Sequence, residues 1–248
     1  MCGKDSLMEQ TATMLDRTPA QVHQVGETVI AQQQRYFGDY QRTADDPKYR
    51  KIWDKLLPLP ARTILDVGCT NGALLVPFLE RGWACSGFEL CAEPAAEARD
   101  RGIDVAEGDV ALGLPYPDDA FDVVVAGEIV EHVIDDLAFL RELRRVVAPR
   151  GMVVLTTPNL VSLGNRLLMG LGRMPRFAYA EFHYQIYNYD VLARKFKEAG
   201  LRIDHASGSY IGISRTFNTK IGSVGEFLGG LLPTLSEHFV IYASPSST

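Results

Sequence analysis

Cysteine is scarce in this chain, and its four residues, Cys2, Cys69, Cys85 and Cys91, form no CxxC pair. Neither a disulfide framework nor a zinc site is expected, no other metal ligands stand at matching spacing, and a reduced, cytoplasmic setting fits. Long apolar runs are missing as well. None approaches the roughly 20 residues that span a bilayer, and the opening MCGKDSLMEQ lacks the apolar stretch of a signal peptide. Basic surplus is the third absence: 25 Lys and Arg stand against 31 Asp and Glu, a net charge of −6. Nucleic acid is a poor main partner for such a chain. The local basic groups, RELRR from Arg141 to Arg145 and then Arg166, Arg173 and Arg176, read as solvated faces. Finally, there is no GxGxxG, so the turn that grips a pyrophosphate in dinucleotide-binding folds is not encoded.

What is present is an ordinary globular composition, 46% apolar and 23% charged over 248 residues, enough for one large domain or a domain with a lid. Residues 5–59 are polar, Gln-rich and helix-like, and LPLPAR (Leu57 to Arg62) breaks the chain before the first strand. Strand and helix periods then alternate. TILDVG, ACSGFEL, IDVAEGD, FDVVVAGE and GMVVLTTPN read as strands; ALLVPFLERG, AEPAAEARDRG and DDLAFLRELRRVVAPRG read as helices, the last closed by Pro149 and Gly151. YDVLARKFKEAG adds a helix, and LRIDHASG and EHFVIYAS add two more strands. The alternation predicts an α/β, doubly wound, mostly parallel sheet with helices on both faces. Runs such as VVVA fit strands buried on both sides. The predicted division is a helical lid over 1–59 and a main domain over 60–248. Segments around 160–189 and 208–236 fall outside the alternation. IGSVGEFLGGLLPTL, in the second of these, reads as a lid or a subunit contact, which leaves a homodimer open.

The first predicted corner is ILDVGCTNG, Ile64 to Gly72. A strand that runs through an acidic residue into a glycine turn is the outline of a nucleotide-binding corner, although alone it equally describes a tight strand-to-helix turn. Glu89 ends the second strand, 21 residues after Gly68, where a carboxylate can accept both hydroxyls of a ribose. Asp109, in EGDV, ends the third strand within reach of an adenine amino group. Asp66 can order the glycine loop or meet a cationic amine. Ribose, adenine and a zwitterionic tail suit this set better than a pyrophosphate does.

In this order and spacing, ILDVGCTNG, GFEL, EGDV, FDVVVAGEIVEHV and ELRRVVAPRGMVVLTTPN resemble the class I S-adenosylmethionine-dependent methyltransferases. The resemblance covers about Tyr36 to Gly200. Within that superfamily the chain is similar to the ubiquinone-biosynthesis O-methyltransferases, and PNLVSLGNRLLMGLGRMP more loosely resembles the methionine-biosynthesis W-type proteins. The resemblance implies a Rossmann-like seven-stranded sheet, S-adenosyl-L-methionine as cofactor and S-adenosyl-L-homocysteine as product. It implies that Asp66, Gly68, Cys69, Asn71 and Gly72 surround the methionine moiety, and that Glu89 meets the ribose with Leu90 beside the adenine. Asp109 and Val110 would bracket the base, and Glu128 would lie near the amino-acid tail. Tyr36 and Tyr40, on the presumed lid, are placed to cover the cofactor or to pack on the sheet. Thr70 departs from the commoner middle glycine of the loop.

For the chemistry, the sequence nominates His132 and His183. His132 follows Glu131 just after the fourth strand, at the carboxyl edge where open α/β sheets bind ligands; it reads as a pocket group or as a helix cap. His183 stands in EFHYQIYNY among Tyr184, Tyr187 and Tyr189, which would form an aromatic wall for a small acceptor or merely anchor a loop. His23, His205 and His238 have no partners at metal-ligand spacing and read as structural. The leading expectation is methyl transfer to a small molecule in biosynthesis, most simply at oxygen. N- or C-methylation stays open, as does a role as cofactor-binding partner or regulator of another enzyme.

Overall fold

Valine- and isoleucine-rich strands with no polar face need cover on both sides, and the computed structural model of this protein provides it. The described residues are 46–60, 62–178, 182–211 and 219–246, with Gln32 besides. Two compact units divide the chain, residues 1–40 and 41–248, and every element below belongs to the second. Tyr36 and Tyr40 lie outside the described residues, as does most of the expected lid.

Seven strands form one sheet: β1 (Thr63–Val67), β2 (Ala84–Glu89), β3 (Asp104–Glu107), β4 (Phe121–Gly127), β5 (Val147–Pro158), β6 (Leu201–Gly208) and β7 (His238–Pro245). Their order is β3-β2-β1-β4-β5-β7-β6. Pairings are parallel from β3 through β5, and β7 runs antiparallel to both β5 and β6. The fold is thus the Rossmann-like class expected from the alternation. Side chains alternate between two cores: Val124, Ala126, Leu155 and Ile241 face one, while Val123, Val125, Val154 and Val240 face the other.

The first core is closed by α4 (Asp136–Val146) and α6 (Tyr189–Glu198), which contribute Phe139, Leu140, Leu143, Leu192 and Phe196. The second is closed by α1 (Pro47–Leu56), the short α2 (Val76–Leu79) and α3 (Ala92–Asp100). Helix α1 starts on Asp46, whose carboxylate accepts the Lys48 N–H at 2.9 Å, with Pro47 at the first helical position. It is tied down by Tyr242, whose hydroxyl donates to the Lys51 carbonyl, and by Trp53, whose indole donates to the Leu74 carbonyl. Two further helices, α5 (Leu163–Gly170) and α7 (Thr219–Leu231), lie in the segments outside the alternation.

Two expectations change. The helix read over ALLVPFLERG shrinks to one turn, because residues 71–75 are taken up by turns after the glycine loop and Pro77 fits only the first turn of what remains. The helix read as ending at Pro149 and Gly151 stops at Val146, and β5 starts at Val147, which pairs with Phe121 before the register shifts. Gly151 is needed at that bulge: a Cβ there would lie 2.7 Å from the Asp122 carbonyl oxygen.

Phe196 is fully buried between α6 and the sheet. Phe196→Ala should therefore lower stability by about 3–5 kcal/mol, seen as a lower urea midpoint at unchanged slope. A loss below about 1 kcal/mol would contradict this packing.

Candidate functional site

Parallel strands deliver their carboxyl ends, and hence their following loops, to one edge of the sheet, and β1 next to β4 is where the strand order reverses. The loop after β1 is held there by short backbone bonds: the Gly68 and Cys69 N–H groups donate to the Phe88 carbonyl at 2.7 and 3.2 Å. Gly68, Thr70 and Gly72 have φ of 71°, 46° and 75°. Glycine adopts such values freely, but a β-branched threonine does so at a cost of order 1–3 kcal/mol. Glu89 offsets part of that cost. Its carboxylate accepts the Thr70 N–H at 2.8 Å with one oxygen and the Cys91 N–H at 3.0 Å with the other. Gly87 is required behind the loop, since a Cβ would sit 2.5 Å from the Cys69 sulfur.

These contacts bring the expected cofactor residues to one edge. Asp66 is fully buried beneath the loop, Asn71 caps the Ala73 N–H at 3.2 Å, and Leu90 is half-buried beside Glu89. Asp109 follows β3 and accepts the Ala111 N–H at 2.9 Å, with Val110 next to it. Glu128 follows β4 in a left-handed conformation, φ 57°. The Thr156 hydroxyl donates to its Oε1 at 2.7 Å, while Lys48 Nζ and His238 Nε2 stand 3.8 and 3.4 Å from its Oε2.

The candidate catalytic residues also meet. Glu131 is buried, its Oε2 accepting the Thr157 hydroxyl at 3.0 Å while Oε1 has no hydrogen-bond partner among the described residues. Burial, reinforced by the Glu128 charge, pushes its carboxyl well above the usual range. The main chain from Phe182 hooks onto this residue, with the Tyr184 and Gln185 N–H groups donating to the Glu131 carbonyl at 2.8 and 3.2 Å. That hook sets the His183 ring edge-on to His132, with centroids 4.7 Å apart. His132 Nδ1 lies 3.0 Å from the Phe182 carbonyl. A carbonyl only accepts, so Nδ1 carries the hydrogen and Nε2 of the neutral ring is a bare acceptor. Burial is the main cause lowering both imidazoles, His132 to about 4.

Donor atoms of Glu131, His132 and His183 all lie within 4.8 Å of one another. One carboxyl and two imidazoles make a donor set suited to a divalent ion, although burial favours the protonated form of Glu131 and so works against an ion there. The sequence reading assigned no metal ligands. A narrow cleft opens beside this group, lined by Glu131, Thr157, Arg176, Phe177 and His183 among others.

The expected tyrosine wall is not what surrounds His183. Tyr187 is buried and donates to Asp136 at 2.6 Å, Tyr189 packs on Phe239, and Tyr184 is exposed. The loop-anchor reading holds for Tyr187, and the neighbours of His183 are His132 and Phe177. His238, read as structural, stands at the same edge because antiparallel β7 begins where β5 ends, Pro158 pairing with His238. Lys48, Phe177 and His238 carried no motif, and Thr156 and Thr157 lay in the TTPN motif without an assigned role; the Lys48, Thr156, Thr157 and His238 partners here, Glu128 and Glu131, are distant in sequence.

The cofactor implied by the motifs can be weighed against these groups. Each Glu89 oxygen keeps a lone pair beyond the amide it accepts, and the buried Thr70 Oγ1 has no hydrogen-bond partner among the described residues. A ligand with vicinal hydroxyls and polar atoms fits this edge. The sheet and its loops are of the class I methyltransferase type.

Comparison with known proteins agrees. The methyltransferase domain family matches residues 32–206, and the chain belongs to that family, whose cofactor is S-adenosylmethionine. A norajmaline N-methyltransferase from Rauvolfia serpentina is 35% identical over 117 residues, 44% of this chain and 39% of that protein. A probable S-adenosylmethionine-dependent methyltransferase of Mycobacterium tuberculosis strain H37Rv is 30% identical over 118 residues, 46% of this chain and 43% of that one. The matched stretch spans less than half the length of these two relatives. A ubiquinone biosynthesis O-methyltransferase from Aeromonas salmonicida is 28% identical over 195 residues, 71% of this chain and 80% of that enzyme. Among solved structures, a possible histamine N-methyltransferase of Thermotoga maritima superposes with TM-score 0.60 at 17% identity, covering 89% of this chain and 98% of that one. No described helix is long and apolar enough to cross a membrane.

Because burial keeps His132 neutral, its proton NMR titration should have a midpoint near 4 and show no step between pH 5 and 8. Unfolding restores a value near 6.5, so the folded state binds fewer protons between these limits. Stability should fall as pH drops from about 6.5 towards 4. A midpoint near 6.5 in the folded protein would contradict the described burial.

Proposed function

We propose that the protein transfers the methyl group of S-adenosylmethionine to a hydroxyl of a small-molecule acceptor. The observation that carries this reading is the edge-on pair of imidazoles, His132 and His183, grouped with the buried Glu131 carboxyl, with His183 and Glu131 lining the cleft. An alcohol or phenol keeps its proton at neutral pH and gains from a nearby base. His132, with Nε2 unprotonated, and His183 are groups of that kind. The catalytic domain is residues 60–248, with the acceptor held by the segments around 160–189 and 208–236.

S-adenosylmethionine supplies the electrophile, a methyl carbon on a sulfonium, open to in-line attack. The chain's own part is to bind, align and dry. Glu89 accepts the ribose hydroxyls while pinning the glycine loop; Asp109 and Val110 bracket the base; Leu90 packs beside it. The Lys48–Glu128 pair matches a zwitterionic amino-acid tail, carboxylate to lysine and ammonium to glutamate. Orientation against the methyl carbon supplies several kcal/mol of the barrier reduction.

Calorimetric titration with S-adenosylhomocysteine tests the cofactor assignment. Loss of hydrogen bonds to a charged group, about 1.5–3 kcal/mol, should weaken binding by Glu89→Ala roughly 10–100-fold. Glu89→Gln should fall between Glu89→Ala and wild type. Affinities within twofold of wild type for both Glu89→Ala and Asp66→Ala would move the nucleoside away from this edge. The base assignment is read from S-adenosylhomocysteine formation with a panel of phenols and sugars. His132→Ala should lose about 10²-fold or more in turnover at unchanged cofactor affinity; unchanged turnover would return His132 to the scaffold.

A further inference from the structure

Helix α7 packs the wrong way round for a soluble surface. Val224, Phe227, Leu228 and Leu231 recur at helical spacing and are 56%, 66%, 40% and 63% exposed, so an apolar stripe points outward. The opposite side is glycine. A Cβ at Gly225 would lie 2.8 Å from the Ile211 carbonyl oxygen, and one at Gly229 would lie 2.9 Å from the Tyr210 Cα. The helix is held in this orientation: the Ile211 N–H donates to the Gly225 carbonyl at 3.0 Å, Ser236 Oγ to the Gly229 carbonyl at 3.2 Å, and Lys51 Nζ to the Glu226 carbonyl at 3.1 Å.

A second apolar stripe lies on α5, whose base is tied to the turn after α7. Leu163, Leu167, Leu171 and Met174, spaced by four, four and three along α5 and its exit, are all exposed, Leu171 by 76%. Arg166 Nη2 and Asn159 Nδ2 both reach the Thr234 carbonyl, at 3.3 and 3.1 Å, which ties the base of α5 to the turn that follows α7. Monomeric proteins seldom expose contiguous apolar surface of this kind without a use for it.

Charge identifies the occupant. In a chain of net charge −6, residues 143–180 contain six arginines and no Asp or Glu. Arg144 and Arg145 are paired with acidic groups and Arg176 with Glu237, whereas Arg173 and Arg166, whose guanidinium also donates to the Val161 and Thr234 carbonyls, flank the apolar stripe on the exposed side. Glu226, within α7, is engaged by Arg50 at 3.4 Å. A two-fold contact between copies would set this cationic rim against itself, and a 13-residue helix is too short to span a bilayer. An apolar face with a basic rim, lying flat, is the pattern of interfacial helices.

We propose that α5 and α7 form a docking face for an anionic lipid bilayer, their apolar stripes entering the headgroup boundary and Arg166 and Arg173 meeting lipid phosphates. The face adjoins the cleft, because Arg176 and Phe177 follow the α5 stripe directly. The claim rests on exposure and charge alone and holds whichever atom is methylated.

The test is co-sedimentation of the full chain with vesicles of phosphatidylcholine alone and with about one third phosphatidylglycerol. Wild type should bind the anionic vesicles and scarcely bind the neutral ones. The double change Phe227→Ser and Leu231→Ser, at exposed sites that leave the core intact, should weaken binding about 30-fold or more. Arg173→Gln should weaken it about fivefold on anionic vesicles only. A thermal midpoint equal to wild type shows that each variant is folded. Equal partition of wild type and the serine variant would overturn the proposal. So would concentration-dependent self-association lost in that variant, which would make the occupant a second copy.

Discussion

The central strands of the sheet are buried on both faces, and this constraint organises everything else in the molecule. Two-sided burial needs helical layers above and below, supplied by crossovers, and crossovers make parallel neighbours whose following loops share one edge. The glycine loop, Glu89, Asp109 and Glu128 meet there because four parallel strands end there. The antiparallel β7 breaks the parallel pattern without leaving that edge. Its first residue pairs with the last of β5, so His238 enters opposite Glu128.

Within the edge, several polar groups are fixed by partners from neighbouring strands. Thr156 and Thr157, at the end of β5, hold Glu128 and Glu131 respectively. Thr70 and Glu128 sit in left-handed backbone conformations that side chains other than glycine adopt at a cost. In both cases a short bond to the next strand accompanies the strain, Thr70 to Glu89 and Glu128 to Thr156. Burial then sets the protonation: Glu131 is favoured as the acid, and both imidazoles as neutral bases.

The apolar faces of α5 and α7 follow a different logic. The glycines of α7 close against the backbone of Tyr210 and Ile211, where no side chain fits, and that leaves its large residues nowhere to go but outward. The arrangement is fixed by hydrogen bonds at several points, so it is a feature of the folded state. Together with the arginine-rich stretch it gives an acidic protein one face of opposite character beside its cleft.

Much of this was legible in the residues themselves. Alternating periods determined the sheet and its helices, because a buried parallel strand and an amphipathic helix each impose a pattern on their own side chains. The motif ILDVGCTNG with Glu89 and Asp109 determined which residues meet at one edge of the sheet, since they lie at strand ends whose position follows from the strand order. Helix ends were read less well where turns and a bulge intervened: the turns after the glycine loop decide residues 71–75, and packing against Asp122 and Val147 decides Gly151. Only the tertiary structure could bring His183 to His132, Lys48 and His238 to Glu128, and the outward stripe of α7 to that of α5. Such contacts join residues far apart in the chain, and no local pattern encodes a distance between them.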